Sequence, residues 1–346
     1  MSGVPLEESS PVPEMRATAS EKLVLVRALR VSSRLKCLIA SLSAMTPRMV
    51  RLVSLIAQQW TILAISSHNV GDENQTSAMA RPNPSATQFR IVKSKRKAQF
   101  YPEELAPGVI LEMVSIPGGK FLMGYEDEEQ HEVTVHNFFI SKYPITQVQW
   151  RTVANLPNLE PKLEDPEPSH FKGDNLPVEQ VSWHDAVVFC ERLSQLTGRN
   201  YRLPSEAQWE YACRAGKQTP FYFGKTLTTD LANYNGNSTY GGGPKGEYRE
   251  RTAPVGSFPA NGFGLYDMHG NVYEWCADPW HDNYEGAPTD GSAWITGGDE
   301  KYRILRGGGW YDDPEDCRSA RRVDLRPGLR DDVIGFRVMS EPGRTL

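Results

Sequence analysis

Residues 305–338 read LRGGGWYDDPEDCRSARRVDLRPGLRDDVIGFRV, and most of this stretch has neither the period of a helix nor that of a strand. In this stretch, residues that can hold the backbone in one conformation alternate with residues that are typical of a protein surface. The first kind comprises Trp310, Pro314, Cys317, Arg318, Ser319, Ala320, Arg322, Pro327 and 335–338. The second kind comprises Tyr311, Asp312, Asp313, Asp316, Arg321, Val323, Asp324, Leu325, Arg326, Gly328, Leu329, Asp331, Asp332 and Val333. The pattern predicts a loop held by anchors, which serves either catalysis or binding.

The length and composition of the chain are those of a soluble globular protein. Its 346 residues exceed the usual size of one compact core, so we expect one large domain and an extension. The 29 Gly and 25 Pro residues favour a loop-rich fold with few long helices. The net charge of -5 is mild, and it argues against a nucleic-acid partner and against binding to a membrane surface.

The cysteines and the N-terminal residues indicate a cytoplasmic protein. No two of the five cysteines form a CxxC pair, and an odd number argues against a secreted disulfide framework. They are Cys37, Cys190, Cys213, Cys276 and Cys317. The first fifteen residues are acidic and contain proline, unlike a signal peptide. The most apolar run, residues 52–67, contains Gln58 and Gln59 and is too short and too polar for a membrane span.

Three segments can be distinguished along the chain. Residues 1–67 form a helical N-terminal extension, because residues 19–67 carry apolar side chains spaced by three and four with basic residues between them. We expect this extension to dock the protein to a regulatory partner, and an element on a membrane surface is the alternative. Residues 68–100 are a polar and basic linker that includes KSKRK at 93–97, and residues 101–341 are the main domain.

Short strands and two capped helices can be predicted in the main domain. Residues 109–114 and 131–136 have strand-like composition or alternation. The two histidines of the second run are five residues apart, so they do not form an HExxH zinc site. Ser182 and Ser205 are the expected N-caps of two helices, with Gln208 as the capping-box partner of Ser205.

The order of several motifs in the main domain is distinctive. These motifs are IPGGKFLMG (116–124), ISKYPITQVQW (140–150), PVEQVSWHDAVVFC (177–190), YRLPSEAQWEYACRAG (201–216), TAPVGSFPANGFGLYDMHGNVYEWCADPW (252–280), RGGGW (306–310) and GFRV (335–338). Together they closely resemble the formylglycine-generating enzyme, or sulfatase-modifying factor, family over about residues 101–340. The resemblance implies an α+β fold, an irregular and loop-rich variant of the C-type lectin fold with little helix and strand.

The activity of that family is the copper-dependent oxidation of a substrate cysteine to formylglycine by molecular oxygen. Cu(I) prefers thiolate ligands, and in active members two cysteines follow the Gly-Gly of the motif that here reads RGGGW. The first of these positions corresponds to Asp312, and the second has no counterpart because the segment before Cys317 is shorter. We therefore expect no copper and no catalytic residue. A formylglycine-generating-enzyme-like oxidoreductase that acts on a protein cysteine is the alternative.

The resemblance also bears on three cysteines. Cys213 and Cys317 match positions that form a disulfide in secreted members, so we expect them to be neighbours and, in a reducing cytosol, a dithiol. Cys190 matches half of another such pair, whose partner position is Val338 here. We therefore expect Cys190 to be a buried free thiol.

Two calcium sites of the family correspond to residues of this chain, so the resemblance implies structural Ca²⁺. The ligands of the first are oxygens of two carboxylates and two carbonyls, which suit calcium. They belong to Asp267, Gly270, Val272 and Glu274. The second would use Asn233 and the Tyr234 carbonyl, with Glu247 nearby. A capped turn with solvated carboxylates is the alternative at the first, where His269 is expected to be a turn or packing residue.

The C-terminal framework further resembles the variable proteins of diversity-generating retroelements, which use a C-type lectin fold of this subfamily. In those systems the adenines of template codons, often AAC, are randomised. Changing the first two bases of AAC gives residues such as Tyr, Asp, Val, Leu, Arg and Gly, and every surface-type position above carries one of these. Glu315 lies outside the accessible set. An undiversified paralogue whose binding loop has this composition is the alternative.

We therefore predict a non-enzymatic protein whose surface-type positions bind a protein or another macromolecular ligand. Asp, Tyr and Arg on a rigid platform offer charge-assisted hydrogen bonds and aromatic contact. A solvated loop with no partner and a purely structural module are the remaining alternatives. Arg318, Arg322 and Arg337 are expected to be structural bridges to carboxylates or carbonyls.

Overall fold

A computed structural model describes residue 91 and residues 97–125 and 130–342. The chain divides into two units, Met1–Pro84 and Ser85–Leu346, and every described residue belongs to the second. The predicted helices of residues 1–67 and most of the predicted linker therefore lie outside the described residues. Within the described part, no helix is long and apolar enough to cross a membrane.

Three helices and eleven strands form the regular structure of the described residues. The helices are α1 (Gln147–Ala154), α2 (Trp183–Thr197) and α3 (Glu206–Arg214). The strands are β1 (Phe100–Ala106), β2 (Val109–Ile116), β3 (Gly119–Met123), β4 (His131–Val135), β5 (Phe138–Ser141), β6 (Tyr201–Arg202), β7 (Tyr273–Trp280), β8 (Asp299–Arg306), β9 (Val323–Leu325), β10 (Ile334–Gly335) and β11 (Met339–Ser340). The prediction of a mixed helix and sheet fold with few helices is confirmed in this form.

Three sheets organise these strands. The largest has the order β1-β2-β5-β11-β6, so a short strand near the C-terminus lies in its interior. The second has the order β10-β7-β8-β9, in which only β10 and β7 run parallel. The third is the hairpin β3-β4, in which Val133 and Val135 are buried as the predicted alternation requires. After β8, the chain leaves the second sheet, forms the edge strand β9 beside β8, and then crosses to the opposite edge of the sheet, where it forms β10.

Each of the three helices begins with a capping box. Ser182 caps α2 with Asp185 as its partner, and Ser205 caps α3 with Gln208 as its partner, so both predicted N-caps are confirmed. Thr146 caps α1 in the same way. A cap residue accepts a hydrogen bond from an otherwise unpaired amide of the first turn, which fixes where the helix begins.

Two apolar clusters cover the main sheets. The first centres on the stacked rings of Trp150 and Phe189, 5.6 Å apart, and includes Phe336. The second contains Trp209 and Met268. Every residue of α3 is buried, so this helix lies in the interior. Its buried carboxylates, Glu206 and Glu210, can therefore bind basic groups of the C-terminal loop.

Candidate functional site

The loop that follows β8 begins with three glycines. Gly307 and Gly308 have φ angles of 102° and 76°, which residues with a Cβ rarely adopt. A Cβ on Gly308 would lie 2.6 Å from Cys317 Sγ, and one on Gly309 would lie 2.9 Å from Val333 Cβ. The start of the loop is therefore in close contact with its own later part, and a side chain at either position would displace it.

Buried charged groups hold the loop from below. Arg306 is fully buried, and it donates to the carbonyls of Ser319 (2.9 Å) and Arg321 (2.6 Å) as well as pairing with carboxylates of α3. Arg322 donates from Nε and Nη2 to the two carboxylate oxygens of Glu206, at 2.7 and 3.1 Å. Backbone carbonyls and a framework side chain of the loop are thus fixed to the interior by charge-assisted hydrogen bonds.

The three arginines that were expected to be structural bridges are confirmed in that role. Besides the Arg322 pair, Arg318 donates from Nε to the Glu315 carbonyl at 2.9 Å. Arg337 is fully buried and donates to both carboxylate oxygens of Glu274, at 2.6 and 2.7 Å. These guanidinium groups are occupied within the fold.

The predicted anchors and contact positions differ in exposure. The anchors Pro314, Cys317, Ser319 and Ala320 are buried, as are residues 335–338, whereas the anchors Trp310, Arg318, Arg322 and Pro327 are half-buried. The exposed contact positions are Tyr311, Asp313, Arg321, Arg326, Gly328 and Leu329. The half-buried ones are Asp312, Asp316, Val323, Asp324, Leu325, Asp331 and Asp332. Val323 and Leu325 lie on β9 and pack against the first apolar cluster.

Val333 is the exception among the predicted contact positions. It is 3% exposed and belongs to the first apolar cluster, and its carbonyl accepts a hydrogen bond from the Tyr273 amide at 2.7 Å. Its side chain therefore points into the protein and is not available for contact. Val333 immediately precedes β10, so the strand and not the loop determines its environment.

Carboxylates predominate around the exposed Tyr311. Burial raises the pKa of the Asp312 carboxyl to about 6, with Asp316 adding to the rise, while its Oδ2 accepts from the Gly309 amide at 2.8 Å. Burial also raises the pKa of Asp332, and neighbouring Asp331 contributes. The surface is therefore acidic at neutral pH, and the Asp312 carboxyl becomes protonated near pH 6.

An aromatic group adjoins this acidic surface. The ring of Trp310 lies 5.6 Å from those of Phe171 and Tyr311 and 6.2 Å from that of Tyr248, measured between centroids. Phe171 and Tyr248 come from separate loops and were not among the predicted site residues. Neither loop has a periodic pattern, so no local sequence signal places these rings beside Trp310.

Glu179 is a second residue that the sequence analysis did not identify. It is fully buried, and its two carboxylate oxygens accept from the amides of His170 and Phe171, both at 2.9 Å. Burial raises its pKa to about 7. Glu179 thereby fixes the backbone that carries Phe171 to Trp310.

The first predicted calcium loop does not fit the ion in this arrangement. Asp267 Oδ1 is buried with no hydrogen-bond partner in the described part of the chain, and Oδ2 accepts from the Gly256 amide at 2.7 Å. The Glu274 carboxylate, however, is bound by Arg337 and by the Trp209 indole, whose Nε1 lies 2.6 Å from Oε2. Among the predicted carbonyl ligands, that of Gly270 accepts from the amide of Val272 at 3.0 Å. Calcium at this loop remains a prediction.

The second predicted calcium site has a more suitable donor. Asn233 is fully buried, and no hydrogen-bond partner for its Oδ1 is found within residues 97–125 and 130–342. Its Nδ2 donates to the Arg251 carbonyl at 2.9 Å and to Asn271 Oδ1 at 3.1 Å, which fixes the orientation of the amide. An amide oxygen, the Tyr234 carbonyl and the exposed Glu247 carboxylate are oxygen donors of the type that suits calcium, and Glu247 Oε2 also pairs with Arg249 Nη2 at 3.1 Å. Calcium here is likewise a prediction.

The cysteines of the described segments are buried and free. Cys190 is a buried free thiol, as predicted. Cys213 and Cys317 form no disulfide, and burial raises the pKa of Cys213 to about 12 and that of Cys317 well above its ordinary value. Copper(I) prefers thiolate ligands, and the carboxylate of Asp312 at the expected cysteine position does not fit that metal.

His269 lies between Cys213 and Cys317 and contacts both, so it is a packing residue, as expected. Its Nε2 accepts from the Tyr222 amide at 3.1 Å, so Nδ1 carries the proton and donates to the Cys317 carbonyl at 2.7 Å. Cys213 Sγ lies 3.9 Å from the imidazole nitrogens. Burial lowers the pKa of His269 to about 3, so the ring is neutral at physiological pH.

Comparison with known proteins assigns the family. The model of the sulfatase-modifying factor enzyme 1-like domain matches residues 102–342, so the chain belongs to this family. It is also 33% identical over 263 residues to the serine/threonine-protein kinase pkn1 of Chlamydia caviae. That match covers 68% of this chain but 39% of the relative, so the chain spans about two fifths of the relative's length.

Two solved structures share the fold. PvdO from Pseudomonas aeruginosa is 36% identical, with a TM-score of 0.60, and the match covers 72% of this chain and 100% of PvdO. Treponema denticola variable protein 1 is 24% identical, with a TM-score of 0.57 and coverage of 72% and 100%. The second likeness, at its lower identity, concerns the fold alone.

Proposed function

We propose that this chain is a ligand-binding protein whose C-terminal loop contacts a protein or another macromolecular ligand. The loop consists of residues 310–332, carried on a loop-rich domain of the C-type lectin type. The observation that carries the proposal is that buried anchors, such as Cys317 and Ser319, alternate within this one loop with exposed contact positions, such as Tyr311. Calcium at the Asn233 site is proposed as a structural element of the same domain, and a cytoplasmic location is proposed for the protein.

The alternation matters because substitutions have different costs at the two kinds of position. A change at an exposed residue such as Tyr311 or Arg326 typically alters the free energy of unfolding by less than about 0.5 kcal/mol. Removing a buried side chain from a packed interior costs several times more, on the order of 3 kcal/mol. The loop can therefore accept different contact residues without losing its path, and a fold shared with a protein named a variable protein supports this interpretation.

The anchors also make the loop a rigid platform. Arg306 and Glu206 hold it from the interior, and the Trp310 indole donates to the Asp332 carbonyl at 3.2 Å, which closes the loop across its width. A surface that is ordered before binding loses less conformational entropy when a ligand arrives. Tyr311, 44% exposed beside the carboxylates, supplies an aromatic contact of the kind found at the centres of interfaces.

The proposal can be tested by capture with matched variants. We would immobilise the full chain, a loop variant with Tyr311→Ala, Asp313→Ala and Arg321→Ala, and a control variant with Phe100→Ala, Lys217→Ala and Glu300→Ala. Each triple variant removes one exposed aromatic, one acid and one base. Proteins retained from a lysate of the source cells would be quantified by mass spectrometry.

We expect at least one protein to bind the unaltered chain and the control variant about tenfold more than the loop variant. Identical profiles for all three would contradict the proposal. The alternative, an oxidoreductase that acts on a protein cysteine, would be supported by copper-dependent oxygen uptake with a cysteine-containing peptide.

A further inference from the structure

A cleft of about 750 Å³ lies between residues 172–176 and 247–258. The two walls are joined where the Val255 amide donates to the Asn175 carbonyl at 2.9 Å. Leu176, Ala253 and Phe258 contribute apolar surface, while three basic and two acidic residues also line the cleft. The proposed function does not use this cleft.

Two positive charges in the cleft form no ion pair with a carboxylate of the described residues. Lys172 Nζ donates to the Glu167 carbonyl at 2.9 Å, and the Arg251 guanidinium lies 5.5 Å from the centroid of the Phe171 ring. The two acids of the cleft already have partners. These pairs are Asp174 with Arg151 at 2.5 Å and Glu247 with Arg249 at 3.1 Å.

Two residues that line the cleft each carry a buried hydrogen-bond donor that has no acceptor within the described ranges. Thr252 is 2% exposed and its Oγ1 has no partner, and Arg249 Nη1 is buried and likewise unpaired. A buried donor without a partner costs about 1–3 kcal/mol, so such groups usually meet a ligand or an ordered water. A guanidinium cannot accept a hydrogen bond, so the missing partner of Arg249 Nη1 is a hydrogen-bond acceptor, and the Thr252 hydroxyl can donate to the same group.

The wall that carries these donors is fixed in advance. Asn271 binds both backbone groups of Ala253, accepting from its amide at 2.8 Å and donating to its carbonyl at 3.1 Å. Asn233 donates to the neighbouring Arg251 carbonyl at 2.9 Å. Thr252 is thus held on both sides, so a ligand would not need to order this segment.

We propose that this cleft binds an oxyanion, the phosphate or carboxylate group of a small organic ligand. Arg249 and Thr252 donate to its oxygens, Lys172 and Arg251 neutralise its charge, and the apolar wall contacts its carbon atoms. A cation is disfavoured because three basic side chains line the cleft. Phosphate and carboxylate offer the same acceptor chemistry, and the experiment distinguishes them.

The test is calorimetric titration of the full chain, at low ionic strength and in EDTA, with inorganic phosphate and separately with succinate. EDTA removes any calcium near Asn233 that could recruit an anion. We expect saturable binding of at least one probe, weakened by salt because the attraction is electrostatic. Thr252→Val and Arg251→Gln should each weaken binding about tenfold, while Lys217→Gln, on an exposed residue outside the cleft, should leave it unchanged.

A folding defect can be separated from a binding defect. Thr252→Val removes a buried unpaired hydroxyl, so without ligand it should melt no lower than the unaltered chain, and Thr228→Val is the control for an unpaired hydroxyl outside the cleft. The proposal would be overturned if neither probe gave saturable binding. It would also be overturned if the Thr252→Val and Arg251→Gln variants bound the probe as tightly as the unaltered chain, because water would then fill the cleft. The triple variant of the 310–332 loop should retain anion binding, so the two proposals can fail independently.

Discussion

Arg322 binds the Glu206 carboxylate through two parallel hydrogen bonds, and this pair joins the C-terminal loop to the first turn of the buried helix α3. Both side chains are almost completely enclosed, with exposures of 9% and 5%. Breaking a buried ion pair from one side leaves the other charge without compensation, which is costlier than losing a surface pair.

We therefore predict that Arg322→Met lowers the free energy of unfolding by about 3 kcal/mol. Arg321→Met is the matched control, because its ion pair with Asp316 lies at the surface and should contribute less than about 1 kcal/mol. Urea denaturation followed by circular dichroism measures both. Equal losses in the two variants would show that Arg322 does not anchor the loop.

The glycines at the start of the loop give a second prediction. Gly308→Ala should destabilise the protein by about 3 kcal/mol, because the new Cβ would meet Cys317 Sγ at a left-handed φ. Gly328→Ala should change stability by less than about 1 kcal/mol, since no atom lies within 4 Å of its Cβ position. Thermal unfolding of both variants tests this, and a stable Gly308→Ala protein would contradict the described path of the loop.

Glu179 gives a third prediction, which concerns pH. Its folded-state pKa of about 7 lies above the ordinary value of 4.5, so the folded protein binds this proton more tightly than the unfolded chain does. The corresponding stabilisation is complete below about pH 4.5 and is lost as the pH rises to about 7. His269 acts in the opposite direction, because its lowered pKa makes stability increase as the pH rises from about 3 to 6.5.

Comparison of the unaltered chain with Glu179→Gln isolates the glutamate, because the other titrating groups cancel in the difference. Relative to the variant, the unaltered chain should lose on the order of 3 kcal/mol between pH 4.5 and pH 8. In the variant, the NH2 group of the glutamine side chain cannot accept a hydrogen bond, so the backbone amide of either His170 or Phe171 loses its acceptor. This loss lowers the free energy of unfolding by an amount that does not depend on pH. Parallel stability curves for the two proteins would show that Glu179 does not titrate in this range.

A fourth prediction tests the calcium assignments. If calcium occupies the Asn233 site, saturating CaCl₂ should stabilise the protein by about 3 kcal/mol at one hundred times the dissociation constant. Glu247→Gln should abolish most of this effect, because it removes an exposed candidate carboxylate ligand without disturbing the interior. Asp267→Asn should preserve it, since Glu274 of that loop is engaged by Arg337. Melting curves in calcium and in EDTA decide between the two sites.

The features that the sequence predicted well are determined by neighbouring residues. The N-caps Ser182 and Ser205, the alternation in β4 and the exposure of six of the fourteen contact positions each depend on a few adjacent side chains. Val333 was misassigned because its residue type fits a contact position, whereas its burial depends on a backbone partner, Tyr273, sixty residues away.

The features that could not be predicted depend on contacts between distant segments. Glu179 positions Phe171 beside Trp310, and residues so far apart leave no joint pattern in one sequence. The carboxylate of Glu274 looked like a cation ligand because its partner, Arg337, lies sixty-three residues later. Local chemistry predicts where helices begin, but it does not reveal which buried charges meet.

The position of β11 inside the five-stranded sheet has a consequence for the gene. The codons for the contact loop precede those for β11. Without β11, the strands β5 and β6 lose the neighbour to which both are hydrogen-bonded. A frameshift or a stop codon in the loop would therefore remove an interior strand and leave unpaired edges that proteases and chaperones recognise. Only copies of the gene that preserve the reading frame through the loop give a folded product, so truncation within the loop is selected against by the fold itself.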